Sequence, residues 1–197
     1  MGRPVVRLPT TATVMETCLK LSRLLSRINV YAARVAAAML LALTFVIMYD
    51  VIGRRFFATG STLLQELEWH IHGVIAMFAI GYAYTRNAHV RIDVVAHRIP
   101  ERVRLWMEFV AIVALLIPFL LFIAYYGYEF AERAFQRGEG ANGGRGLPHR
   151  WIVKSVVPVA SVLIIMAATS VAIRCLIVLK RPDLLDDPFE RSGLWKR

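Results

Sequence analysis

The chain has 197 residues, 57% of them hydrophobic, a formal net charge of +10 and a mean hydropathy of +0.53. A soluble domain is usually about half apolar, with its charges spread along the sequence. Here the charges crowd between long uncharged stretches, which excludes an ordinary soluble core and marks a membrane protein.

Residues 1–12 are expected to be a disordered N-terminus. From 13 to 34, Val14, Cys18, Leu21, Leu25 and Ile28 recur at spacings of four and three, with Lys20, Arg23 and Arg27 on the other sides. That spacing predicts a basic amphipathic helix along the inner membrane surface before the chain turns inward. A helix docked on a soluble partner has the same pattern. Four spans follow, over about 35–52, 67–85, 107–128 and 152–173, and 181–197 form a cytoplasmic tail. A hydrocarbon core of about 30 Å takes about 20 helical residues at about 1.5 Å each. The third and fourth spans meet that unaided; the first two take in flanking residues. A soluble bundle helix shows a polar stripe, and Phe109 to Tyr128 has none. The predicted fold class is an all-α membrane protein with four transmembrane helices preceded by an amphipathic interfacial helix.

Basic residues set the orientation. Of the 24 Lys and Arg residues, seventeen fall in the N-terminal segment, the middle loop and the tail, against seven in the first and third loops. The positive-inside rule then puts both termini in the cytoplasm. The first 34 residues hold no signal-peptide-like apolar run, so the first span is expected to direct insertion. The excess positive charge flanks spans, where it holds topology and meets anionic headgroups; a nucleic-acid partner is not expected. Trp106, Trp151, Tyr125, Tyr126 and Tyr128 stand at interface positions. Cys18 and Cys175, the two cysteines, lack metal-type spacing and are expected to be small apolar fillers.

Asp50 lies near the outer end of the first span, followed by Arg54 and Arg55, and Glu66 and Glu68 open the second. Arg54 or Arg55 is placed to pair with Asp50 or Glu66. Such ionisable groups read either as an ion or proton site or as an interfacial pair, and their position at span ends favours the pair. His70 and His72 diverge by about 200° on a helix and cannot face one haem together. His89 lies at the far end of that span, and His97 and His149 are in loops. No Ser/His/Asp set, glycine-rich phosphate loop or HExxH motif occurs, so no catalytic, cofactor or metal residue is assigned. With little room inside four helices and no convincing internal repeat, the chain reads as a membrane partner for something larger.

Four motifs extend that reading. Asp50-Val51-Ile52-Gly53-Arg54-Arg55-Phe56-Phe57 closes the first span, and Glu66-Leu67-Glu68-Trp69-His70 opens the second. Gly81-Tyr82-Ala83-Tyr84-Thr85-Arg86-Asn87-Ala88-His89-Val90-Arg91-Ile92-Asp93 closes it, and Gly146-Leu147-Pro148-His149-Arg150-Trp151-Ile152-Val153-Lys154 leads into the fourth, with Pro158 beyond. In this order, over residues 30 to 180, they resemble the small membrane subunit (DctQ-like) of tripartite ATP-independent periplasmic (TRAP) transporters. The resemblance implies a non-catalytic subunit in the bacterial inner membrane, beside a large membrane subunit that carries the substrate and ion sites. A periplasmic binding protein would deliver the substrate, usually an organic acid, for ion-gradient-driven uptake. Glu139, Gly143-Gly144, Leu147-Pro148, Arg150-Trp151 and Lys154 resemble a branch associated with 2-oxo acids, mannitol or chloroaromatic compounds. Ala141-Asn142 stand where that branch carries Ser and Asp.

Candidate contacts to the large subunit or to lipid are Asp50, Arg54, Glu66, Arg86, His89, Arg91, Asp93, Trp151 and Lys154. Arg86, His89 and Arg91 suit lipid phosphate or a helix C-terminus, and Asp93 suits a pair with Arg91 or a cap. Competing readings are a membrane anchor for a haem- or quinone-linked redox complex, and an independent channel or exporter.

Overall fold

Uncharged runs satisfy their backbone polar groups internally when no water is at hand, and the helix is the open-ended way to do so. The computed structural model describes residues 11–88, 99–140 and 147–180, with 182, 184, 185 and 187–189 of the tail. The described residues contain four helices and no strand: α1 (Thr11–Phe57), α2 (Thr62–Thr85), α3 (Glu101–Gln136) and α4 (Trp151–Lys180). At about 1.5 Å per residue they measure about 70, 36, 54 and 45 Å. Helices α1, α3 and α4 are long and apolar enough to cross a membrane. Helix α2 is long enough, but Glu66, Glu68, His70 and His72 in its first half dilute its apolarity.

The ends of the helices are fixed locally. Ala58 takes a left-handed conformation, and the Thr59 N–H donates to the Gly53 carbonyl at 3.2 Å, which turns the chain toward α2. Ser61 caps α2 by accepting the Leu64 N–H. Asn87 and Gly138, both left-handed, close α2 and α3, with the residue after each donating back to Ala83 and Ala134 at 3.0 Å. This is the Schellman closure, which favours Gly or Asn.

Helix α3 contains a π-helical turn, Ile112–Leu116, separated from Pro118 by Ile117 alone. Proline has no N–H for the carbonyl four residues back and its ring crowds that carbonyl. The wider turn, closed by the Ile117 N–H to the Ile112 carbonyl, gives the ring space.

Helix α4 is the centre of the bundle, packing on α1, α2 and α3, while α1 also packs on α2. Its buried side is built of small residues, among them Ala160, Ala167, Ala168, Ser170 and Ala172. Small side chains let helix backbones approach closely. Gly127 shows how close: a methyl group there would lie 3.2 Å from Val157 and 3.3 Å from the Pro158 ring. The core at the other end joins Leu105 and Ile112 of α3 to Ala168, Val171 and Cys175 of α4. Cys175 is thus the small apolar filler that its surroundings require.

One expectation is corrected. The boundary expected between residues 34 and 35 is absent, and a single helix runs through it. Of the expected apolar stripe, Val14, Leu21 and Ile28 face away from the bundle, 47%, 49% and 38% exposed, while Cys18 and Leu25 are half-buried. The buried face is instead Ser22, Ser26, Asn29, Ala32, Ala33 and Ala36. Small size decides this: serine and alanine admit the neighbouring helix where leucine would hold it off, and the Ser22 hydroxyl is satisfied across the contact, whereas Ser26 Oγ is buried with no hydrogen-bond partner among the described residues. Ser22 donates to the Ser170 carbonyl at 3.2 Å, Ser170 donates to the Ser22 carbonyl at 2.9 Å, and the Arg174 Nε donates to Ser22 Oγ at 2.6 Å.

Candidate functional site: polar clamps at the ends of the bundle

Glu66, in the second turn of α2, reaches the segment that leads into α4. One of its oxygens accepts the Leu147 N–H at 2.6 Å, and the other pairs with Arg150. The carboxylate therefore ties α2 to a connector about 80 residues further along the chain. His70, one turn on, points its Nδ1 at the Glu66 carbonyl and stays on its own helix.

The same connector is folded back on itself by Glu139 and Lys154, which pair at 2.5 Å. The Arg150 N–H donates to the Glu139 carbonyl at 3.1 Å, and the Lys154 ammonium lies 4.0 Å from the centre of the Phe130 ring. Trp151 meets Phe135 edge to face at 5.3 Å, so α3 and α4 are joined by an aromatic contact as well. Lys154 holds the Glu139 carboxyl below its ordinary range, because the ammonium favours the charged form over the protonated one.

Asp50 is 3% exposed and pairs with Arg54 one turn along α1. Arg55 and Glu68 share the shallow hollow around this pair. Asp50 Oδ1 and Glu68 Oε1 are buried with no hydrogen-bond partner among the described residues. At the opposite end, Tyr84 of α2 donates to Glu108 of α3 at 3.1 Å, and the Arg86 guanidinium stacks over the Tyr82 ring.

Of the residues expected from the sequence, the structure gathers Glu66, Trp151 and Lys154 at one end, with Asp50 and Arg54 as a separate pair on α1. Of the pairings left open, Asp50 takes Arg54, and Glu66 takes Arg150. Arg86 lies at the other end; His89, Arg91 and Asp93 fall outside the described residues. Arg150 and Glu139 were missed as pairing residues, since nothing in sequence spacing links Glu66 to a residue 84 positions away. The serine contact between α1 and α4 was missed for the same reason.

Apolar helices of bilayer length, closed at their ends by ion pairs and aromatic contacts, define a membrane-embedded helical bundle. The family model described as "Tripartite ATP-independent periplasmic transporters, DctQ component" matches residues 43–177, and the chain belongs to that family. It is a membrane component of a transporter. A comparison with curated proteins gives no match.

Proposed function

We propose that the chain is the non-catalytic small permease subunit of a TRAP-type secondary transporter. It scaffolds the large transport subunit, which takes up an organic acid from a periplasmic binding protein at the expense of an ion gradient. The chain lies in the bacterial inner membrane with both termini cytoplasmic, and α2, packed against α1 and α4, crosses it together with the three more apolar helices. The observation that carries the scaffold reading is where the polar groups are used. Glu66 with Arg150 and Leu147, and Glu139 with Lys154, join one stretch of the chain to another. Such joints stiffen a platform.

The test is reconstitution. Proteoliposomes holding the large subunit with this chain, supplied with loaded binding protein and an inward ion gradient, should accumulate the acid. Vesicles holding this chain alone should accumulate none. Uptake by the chain alone would end the proposal.

A further inference from the structure

Helix α2 carries its polarity on the side where a lipid-bathed helix carries its apolar residues. Thr62, Gln65, Trp69, His72 and Ala76 are exposed, and their spacings of three and four put them on one face. Ala79 and Ala83 continue the same line. The bulky apolar residues Leu67, Ile71, Val74 and Phe78 lie on the other side, that of buried Gly81 and Thr85. That side meets α1 at Asn29 and α4 at the Leu163 carbonyl.

The depth of this stripe matters. Glu66 and its connector partners mark the end of the bundle, and His72 is six residues further in, about 9 Å along the axis. An imidazole at that depth gains no hydrogen bond from acyl chains. Contacts between membrane helices, in contrast, use small residues for close approach and polar side chains for hydrogen bonds across the seam. Helix α2 alone among the four described helices falls short of the apolarity of a membrane span, and His72 on the exposed face contributes to that deficit. Trp69, 73% exposed, has the size and the polar edge of an interface anchor. It borders a notch formed with Thr62, Gln65, Glu66 and Arg150.

We infer that the Gln65–Trp69–His72–Ala76 face of α2 docks a transmembrane helix of the large transport subunit. That helix presents hydrogen-bonding side chains opposite Gln65 and His72 and small residues opposite Ala76 and Ala79. The inference rests on the function proposed above and adds to it the surface through which the scaffold acts. Polar complementarity selects this occupant over lipid, whose acyl chains offer His72 nothing at its depth.

The experiment uses the intact complex in cell membranes. A photo-crosslinking residue in place of His72 should link this chain to the large subunit. Ala76→Trp should lower large-subunit recovery on the tagged chain by about tenfold, the scale of one lost packed contact. Its own membrane yield should be unchanged, and Leu121→Trp on the exposed side of α3 should leave recovery intact. Gln65→Leu combined with His72→Leu, which keeps side-chain size, should also lower recovery. Crosslinks only to lipid or to a second copy of this chain would overturn the inference, as would undiminished recovery with these α2 variants. An unmodified chain that recovers no large subunit removes the proposed function and this surface together. An unmodified chain that recovers it, with α2 variants that do so equally, removes the surface alone.

Discussion

At Gly81 three helices meet. A methyl group there would overlap the Asn29 Oδ1, and the carboxamide is held by its Nδ2 donating to the Leu25 carbonyl at 3.1 Å. Asn29 is fully buried, so it has nowhere to retreat without giving up that bond. Gly81→Ala should therefore cost about 1–3 kcal/mol of stability, the usual range for overpacking. Thermal unfolding in detergent measures it, and adding Asn29→Ala should return part of the loss. Glu139 offers a pH test. Its folded carboxyl sits below the ordinary value near 4.5, so on acidification the unfolded chain takes up its proton first. The stabilisation is thus full above that value and disappears as pH falls through the folded value. The melting temperature of the parent should exceed that of Glu139→Gln at pH 7, and the gap should narrow and then close as the pH falls below 4.5. A gap that widened in acid would contradict the Lys154 pair as its cause.

At the scale of elements, α1 is the helix whose bundle-facing side the sequence left unassigned. Leu21 faces outward, Leu25 is half-buried, and Ser22 meets α4. The Ser22–Ser170 exchange places two hydroxyls and two carbonyls in one buried contact, with Arg174 completing it. Ser170→Val keeps the carbonyl to which Ser22 donates but removes the hydroxyl that donates to the Ser22 carbonyl, and should cost about 1 kcal/mol, the usual net worth of one hydrogen bond. Amide exchange over residues 14–30 should then quicken, while α3 stays protected. Ser22→Ala with Ser170→Ala should cost less than the two singles added, because the pair is removed together. Helix α3 was easier to read. Its uncharged run, Phe109–Tyr128, marked its middle, but the helix continues beyond both ends, to Glu101 and Gln136.

For the whole molecule, the orientation proposed from the basic residues has a direct check. A cysteine at exposed Gln136, in the last turn of α3, should react with an impermeant thiol reagent in intact cells. Cys18 should react only after lysis. The reverse pattern would invert the topology and place the Glu66–Arg150 clamp on the cytoplasmic side.

Composition and charge spacing were enough to determine that the chain is helical and membrane-embedded, because the cost of an unpaired backbone in lipid leaves few alternatives. The order of motifs was enough to determine its family. Which residues touch was decided only by the tertiary structure. Asp50 with Arg54 was among the pairings the sequence left open, since one helical turn separates them. Glu66 with Arg150 and Ser22 with Ser170 were not, since their meeting depends on how α4 lies against α1 and α2. The inward face of residues 13–34 belongs to the same class. An apolar stripe announces burial only when the surroundings are water, and beside other membrane helices the small residues go in and the leucines turn out.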